Sequence, residues 1–469
     1  MLRPLPLLLA GACATRTPIP PAAAPPSSAP AECAREAVPS GPPPAEVTAV
    51  IGKIERARLV AIVEKLAGFG TRHTLSDTKS PTRGIGAARN WIRQEILQAV
   101  GAPDAAMRVS FDSHRVPPDG KRIPREVEIV NVLGELPGAN SEARPRRYYL
   151  VAHYDSRATD PMDARGDAPG ANDDASGVAV LLEAARVIAK ARPEATLAFL
   201  ATAGEEQGLH GARLHAQAAQ TAGLDVRGVL SNDIVGDPTS PVGPAHRDRV
   251  RVFSEGWTRG LSEERAMALA RQGAESESAS RQLARFVAEV AAWHGLEVQP
   301  RLVLRADRAL RGGDHLAFNE AGFPAVRFSV VDEHYDRQHQ DVREQDGRRY
   351  GDLPEFVDGT YMAGVARLNA ATLLHLANAP STPADAQVVA VELANDTLVR
   401  WSASPEPDVA GYEVVWRRTT CADWERVRDV GTGSSATLPI NKDNFFVGVR
   451  AYDRSGYRSP VAFAPVAKE

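Results

Sequence analysis

The chain has 469 residues, of which 43% are apolar and 24% charged, with a formal net charge of −4. That length allows two or three domains, each with a sizeable core. The nearly balanced charge gives no footprint for a nucleic-acid partner, and no protein partner is expected.

Met1–Ala12 (MLRPLPLLLAGA) has one basic residue, a short leucine run and small residues before Cys13. It has the outline of a signal peptide and is too short to span a membrane; no other run of about 18 apolar residues follows. Two cleavage readings compete: an ordinary small-x-small site at Ala10–Ala12, and a bacterial lipobox that leaves a lipidated Cys13. Either implies export, to the periplasm, to a membrane-anchored lipoprotein or to the medium. Residues 13–45 are a Pro/Ala-rich linker, read as a disordered tether because they lack apolar groups to bury. The three cysteines, at 13, 33 and 421, contain no CxxC, so a thiolate zinc site is not expected. Cys33 and Cys421 are left as a pair or as two incidental thiols, the second reading being slightly preferred.

Residues 46–378 read as one domain. Apolar spacing predicts helices over Glu46–Leu66 and Gly86–Ala99, then strands over Glu126–Leu136 and Arg147–Ala152. A helix at Val178–Ala189 and a strand at Thr196–Thr202 follow, then a helix at Gly204–Ala219 and a strand at Val226–Ser231. Ser280–His294, Ala325–Val331 and Val357–Leu376 read as helix, strand and helix. Strands alternating with helices, several of them continuous apolar runs, predict an α/β fold: a mixed, mainly parallel sheet between helices. After a linker at 379–386, residues 387–469 change to short alternating runs (TLVRWSA, GYEVVWRRT, FFVGVRAYD) separated by turn signals, the pattern of an all-β sandwich.

Ligands of such sheets bind beyond the carboxyl ends of the strands. His153 follows YYLVA, Glu205 and Glu206 follow TLAFLATAG, Asp233 follows GVLSN, and His339 follows AVRFSVV by a loop; Asp173 lies at the start of a helix. Four carboxylates so close would raise one another's pKa unless divalent cations sat among them. Imidazole and carboxylate suit zinc. Two ions could share one carboxylate, so the expected arrangement is one zinc on His153 with carboxylate partners, the other on His339 with a carboxylate, and Asp173 bridging. Taken singly, Asp-Asp and Glu-Glu pairs are more often solvated surface or helix N-terminal charge. The joint placement at strand ends is what favours a site. His210, His215, His246, His294 and His375 lack that placement and read as ordinary histidines. There is no HExxH, GxSxG or Walker A motif.

In order, HYDS, APGANDDASG, AGEEQGLHGA, SNDIVG, GGDHLAF and a late HQD resemble the clan MH zinc exopeptidases, more narrowly the two-zinc aminopeptidases of metallopeptidase family twenty-eight. The resemblance covers about residues 147–341 and implies the zinc exopeptidase fold. It also implies two Zn2+ per chain, with His153 and Asp233 on one ion, Glu206 and His339 on the other and Asp173 between them. Glu205 would be the general base and Asp155 the carboxylate that orients His153. It further implies a cis peptide after Asp173 and removal of N-terminal residues from peptide substrates. Where relatives carry Tyr-His-Thr, this chain has residues 333–341 (EHYDRQHQD), so His334 and His339 compete. His339 is preferred because Asp341 follows it, and His315 is a third, poorer candidate for the ligand, expected instead to line the pocket. A carboxypeptidase or dipeptidase of the same clan would need basic pocket residues, for which Arg157, Arg305 and Arg311 are available. A glutaminyl cyclase-like transferase and a non-catalytic binding module are the other rivals. Trp401, Tyr412, Trp416, Leu438 and Tyr452 in the last segment resemble a fibronectin type III domain. Packing on the catalytic domain is preferred for it over attachment to a surface or polymer.

Overall fold

The computed structural model describes residues 33, 37–39, 41–100, 107–390 and 394–467. The expected signal peptide, Cys13 and nearly all of the N-terminal tether lie outside the described residues. Three helices come first: α1 (Ala45–Ile51), α2 (Arg56–Ala67) and α3 (Gly84–Val100). The single helix expected over Glu46–Leu66 is thus two, broken at Gly52, whose backbone caps α1. Then follow β1 (Arg108–Val116), β2 (Val127–Leu136), β3 (Arg146–His153), α4 (Ser176–Ile188), β4 (Thr196–Thr202), α5 (His210–Thr221), β5 (Asp225–Asn232), β6 (Arg249–Ser254), α6 (Glu263–Ala270), α7 (Ala279–Trp293), β7 (Gln299–Val303), α8 (Asp314–Glu320) and β8 (Ala325–Ser329). A small hairpin, β9 (Arg343–Gln345) with β10 (Arg348–Tyr350), precedes the long α9 (Gly359–Asn378).

The large sheet runs β1-β2-β4-β3-β5-β8-β6-β7. Its centre is parallel, with β3 beside both β4 and β5, and β5 beside β8. The β1/β2, β2/β4 and β6/β8 pairs are antiparallel, so the sheet is mixed, as expected. Central strands carry helices on both faces; β4 and β8 are buried along their whole length, and β3 and β5 everywhere but near their amino ends. Every residue of TLAFLAT and of AVRFS is inaccessible, which is why these segments are unbroken apolar runs. On one face, α4 lies against α2, α3 and α9, and twelve of its thirteen residues are buried. On the other face α5 and α8 pack over Tyr149, Leu200 and Val229.

The remaining strands form two four-stranded sheets, β15-β12-β11-β18 and β14-β13-β16-β17. They comprise β11 (Ala384–Val389), β12 (Thr397–Ser402), β13 (Val409–Arg418), β14 (Arg426–Gly431), β15 (Ser435–Leu438), β16 (Phe445–Asp453), β17 (Ala462–Phe463) and β18 (Val466–Ala467). Val388, Val399 and Trp401 from one sheet share a core with Tyr412, Val414 and Val449 from the other. The strand β11 begins inside the segment expected to be a linker.

Two expectations about the N-terminal segment are corrected. Cys33 and Cys421 are disulfide-bonded, not incidental thiols. Ala37, placed in the disordered tether, is buried against Val415, Trp424 and Val461, and its carbonyl accepts a hydrogen bond from Arg450 at 2.8 Å. Ion pairs join the sandwich to α7 and the segment before it: Arg417 to Glu277 at 2.6 Å and Arg450 to Glu289 at 2.5 Å, with Arg285 donating to the Ala422 carbonyl. No helix among the described residues is long and apolar enough to cross a membrane.

Candidate metal centre

Three of the central strands, β3, β4 and β5, deliver donors at or just beyond their carboxyl ends. His153 is the last residue of β3, and Asp233 follows β5 directly. Glu205 and Glu206 follow β4 in a turn, where a helix beginning at Gly204 had been expected; α5 starts only at His210. The turn uses positive φ at Gly204, Gly208 and Leu209, and this keeps both glutamates facing the cleft instead of winding them around a helix. Asp173 sits in the short loop between Gly170 and α4, and the Asp173–Asp174 peptide is cis. Gly170 has φ 50°, and a Cβ there would lie 2.5 Å from the Asp173 carbonyl oxygen, so only glycine fits that bend.

Two donor sets result, and they share Asp173. His153, Asp173 and Asp233 form one; Asp173, Glu206 and His339 form the other, with the donor atoms of each within 4.8 Å of one another. His153 Nε2 is 3.1 Å from Asp173 Oδ1 and 3.8 Å from Asp233 Oδ1. It is buried without a hydrogen-bond partner. His339 Nε2 is 3.0 Å from both Asp173 Oδ2 and Glu206 Oε1. Convergent imidazole and carboxylate donors around an orphaned ring nitrogen fit a zinc ion in chemistry and geometry. Of the competing histidines, His334 turns away, its Nε2 2.8 Å from Thr239 Oγ1. His315 is not on the cleft wall, where it had been a candidate: its Nε2 contacts the Ala306 carbonyl at 2.9 Å.

The electrostatics are those of a cation site. Burial disfavours charge on His153, but Glu205, Asp155, Asp173 and Asp233 outweigh it and raise its pKa well above the usual imidazole value. His339 is raised to about 10 in the same way, chiefly by Glu206 and Asp173 against the effect of burial. Asp173 is held well below the carboxylate range despite burial, by its bonds to the two histidines. Burial, with Glu206 and Asp233 nearby, lifts Glu205 well above it. Glu205 lines the cleft and makes no side-chain hydrogen bond to the described residues.

Further residues hold these donors in place. Asp155 accepts from Thr74 Oγ1 at 3.0 Å and from the backbone N–H groups of Glu205 and Glu206 at 3.3 and 3.1 Å. Its own carbonyl oxygen, at 3.2 Å, is nearer to His153 Nδ1 than its carboxylate, at 3.5 Å. Three positioning residues are not marked by the motif reading. Asp174 accepts from the backbone N–H groups of His153, Gly177 and Ile234. Asp352 accepts from those of Asn172 and Asp173 at 2.8 and 2.7 Å. The buried Arg72 donates to the carbonyls of Leu66, Tyr154, Pro169 and Gly170, tying the end of α2 to both ligand loops. Asp174 was read only as a helix-end charge. Arg72 and Asp352 each follow a glycine within two residues, which was the only local mark they carried.

Carboxylates and imidazoles gathered around a shared aspartate, at the carboxyl edge of a mixed α/β sheet, are the site of a metal-dependent hydrolase. Residues 131–353 match Peptidase family M28. The chain is 44% identical over 424 residues to a probable zinc metalloprotease of Leptosphaeria maculans, covering 90% of this chain and 97% of that one. It is 46% identical to another from Pyricularia oryzae, covering 89% and 84%. Among solved structures, the Legionella pneumophila LapA aminopeptidase superposes with a TM-score of 0.51 at 20% identity, covering 71% of this chain and 75% of that one, a likeness of fold. The chain belongs to peptidase family M28 and is a zinc metalloprotease.

Proposed function

We propose that the chain is an exported two-zinc aminopeptidase that removes N-terminal residues from peptides. The observation that carries this reading is the pair of three-residue donor sets sharing Asp173. In it His153, Asp173 and Asp233 would hold one ion, and Asp173, Glu206 and His339 the other. Bound zinc supplies Lewis acidity to the attacking water and to the scissile carbonyl. Glu205, uncommitted and at the cleft wall, takes the proton of that water and returns it to the leaving amine. Asp155 keeps the two glutamates in register through their backbone N–H groups, and its carbonyl sets the tautomer of His153 so that Nε2 faces the metal. The disulfide supports export, since such bonds persist in oxidising compartments. Lipidation at Cys13 would add a membrane anchor. The sandwich is read as a fibronectin type III-like module that stabilises the peptidase.

The test is Glu205→Gln, which keeps size but cannot accept a proton. Loss of a general base costs about 10²–10⁴ in rate. The variant should keep the zinc content of the parent, two per chain at saturation, while cleaving free-amine peptides that much more slowly. N-blocked peptides should be poor substrates of the parent. A variant that loses zinc yet retains turnover would make Glu205 a ligand, and one zinc per chain at saturation would remove the bridging role of Asp173.

A further inference from the structure

The cleft over the donor sets has a volume of about 440 Å³, and five arginines line it: Arg122, Arg157, Arg213, Arg308 and Arg311. The lining carboxylates are Asp173, Glu205, Glu206 and Asp233, three of them the candidate zinc donors. Once cations occupy those donors, the negative charge of the cleft is largely spent and the guanidinium charge is not.

The five are not alike. Arg308 and Arg311 are structural, pairing with Glu333 at 2.9 and 2.6 Å, and Arg308 also with Asp307. Arg213 donates to the Gly208 carbonyl and reaches Glu320 at 3.4 Å, a part-exposed pair. Arg122 and Arg157 have no carboxylate partner among the described residues. Arg122 donates through Nη1 to the Glu206 carbonyl, leaving Nε and Nη2 uncommitted. Arg157 makes only 3.2 Å contacts to the carbonyls of Ala158 and Thr159 in its own loop, leaving Nη1. That loop is pinned to the His339 loop through Thr159 and Asp341 at 2.9 and 3.1 Å. Both guanidiniums therefore flank the Glu206/His339 side of the centre. Half-buried arginines held in place by backbone carbonyls, with fork donors unused, are prepared for a carboxylate.

We infer that Arg122 and Arg157 bind a carboxylate of the substrate next to the scissile bond, so the enzyme prefers anionic peptides. This rests on the peptidase reading above and names its substrate class. The carboxylate could come from an acidic side chain or from the free C-terminus of a short peptide, and the assay separates these sources.

The zinc-loaded full chain is assayed on three matched pairs: Glu- against Gln-anilide, Leu-Glu-amide against Leu-Gln-amide, and Leu-Leu against Leu-Leu-amide. The anionic member of at least one pair should show kcat/KM roughly tenfold or more above its partner, as a charge-assisted bidentate contact gives. The preference should shrink as salt is raised. In Arg122→Gln, Arg157→Gln and the double variant the ratio within the pair should fall, towards one in the double; a ratio within one variant cancels any general loss of folded enzyme. Ratios near one in all three pairs, or a ratio unchanged in the double variant, overturn the inference. If no pair is turned over, the aminopeptidase reading fails, and the cleft is read on its own by calorimetry with glutamate, glutarate and glutamine. Tighter binding of the two carboxylates, lost in the double variant, sustains the inference, and equal or absent binding refutes it.

Discussion

Asp352 touches no metal donor atom, yet it should control zinc affinity. Its carboxylate accepts the backbone N–H groups of Asn172 and Asp173 at 2.8 and 2.7 Å, and the Ala171 N–H donates to its carbonyl at 3.2 Å. Burial lifts its carboxyl to about 7, against the two N–H bonds and the charge of Arg72, so assays belong at pH 8, where it is ionised. A hydrogen bond to a charged acceptor contributes about 1.5–3 kcal/mol, so Asp352→Ala forgoes about 3–6 kcal/mol in the loop that carries Asp173. Water entering the gap recovers part of that. Loss of a partner that orients a metal ligand typically weakens metal binding about 10–100-fold, or about 1.4–2.8 kcal/mol. The expected result in a chelator-competition titration is therefore a 10–100-fold weaker zinc constant for Asp352→Ala. Asp352→Asn should fall between, since one amide oxygen can still accept. A zinc constant for Asp352→Ala equal to that of the parent would refute the claim that Asp173 is held from behind by this carboxylate.

Other variants test the remaining structure. The proposed pair of metals should fall to one by atomic absorption in His339→Ala, whereas His334→Ala, which breaks the contacts to Thr239 and Asp336, should keep both; the reverse result moves the ligand to His334. Deleting residues 387–469 should leave a soluble, zinc-binding chain with a lower melting temperature, because Glu289 loses Arg450 and α7 loses its cover; complete insolubility would show that the sheets and the peptidase are one folding unit. His294 Nε2 and His375 Nε2 lie 2.8 Å apart, one donating and one accepting, and burial, with His294 and Arg458 nearby, pulls His375 down to about 3. The folded state then binds fewer protons than the unfolded chain, so stability should fall as the pH drops from about 6.5 towards 3. His375→Gln should flatten that slope in a thermal melt, and an unchanged slope would assign the acid sensitivity elsewhere.

The sequence disclosed what burial imposes and hid what a single hydrogen bond imposes. Central strands must be apolar on both faces, so TLAFLAT and AVRFS could be read directly, and the polar residues just beyond them stood out. Edge strands carry no such constraint. The edge strand β1 (RVSFDSHRV) is mostly polar, with Phe111 exposed, the edge strand β7 (QPRLV) has no fully buried residue, and β6 (RVRVFS), inside the sheet beside it, opens by alternating arginine with valine, so none of the three was legible. The turn at Glu205–Leu209 was read as helix because its composition is helical, while left-handed glycine and leucine conformations hold it open. The disulfide joins residues 388 apart, a pairing that spacing cannot give.

The acidic residues around the centre divide between two tasks, and the division explains how donors of like charge stay assembled. Asp173, Glu206 and Asp233 point oxygens into the donor sets. Asp155, Asp174 and Asp352 instead grip the backbones of ligand residues: Asp155 the N–H of Glu206, Asp174 that of His153, and Asp352 that of Asp173. Each carboxylate behind the site is thus directed at a peptide dipole, which orients the ligand without competing for the ion. The cost of burying those charges is visible in Asp174, which burial raises well above its usual pKa, and in Asp352. Arg72 offsets it by placing a buried cation among them while spending its own donors on four carbonyls of the ligand loops and α2. His339 stands outside this scheme. It arrives on a loop and takes a positive φ of 54°, and that loop is tied down by Asp341 to Thr159 and by Gln338 to Asp173 and Arg311. The His339 side chain is 27% exposed where that of His153 is 1% exposed, so the ion proposed for the His339 side should leave first when chelator is added.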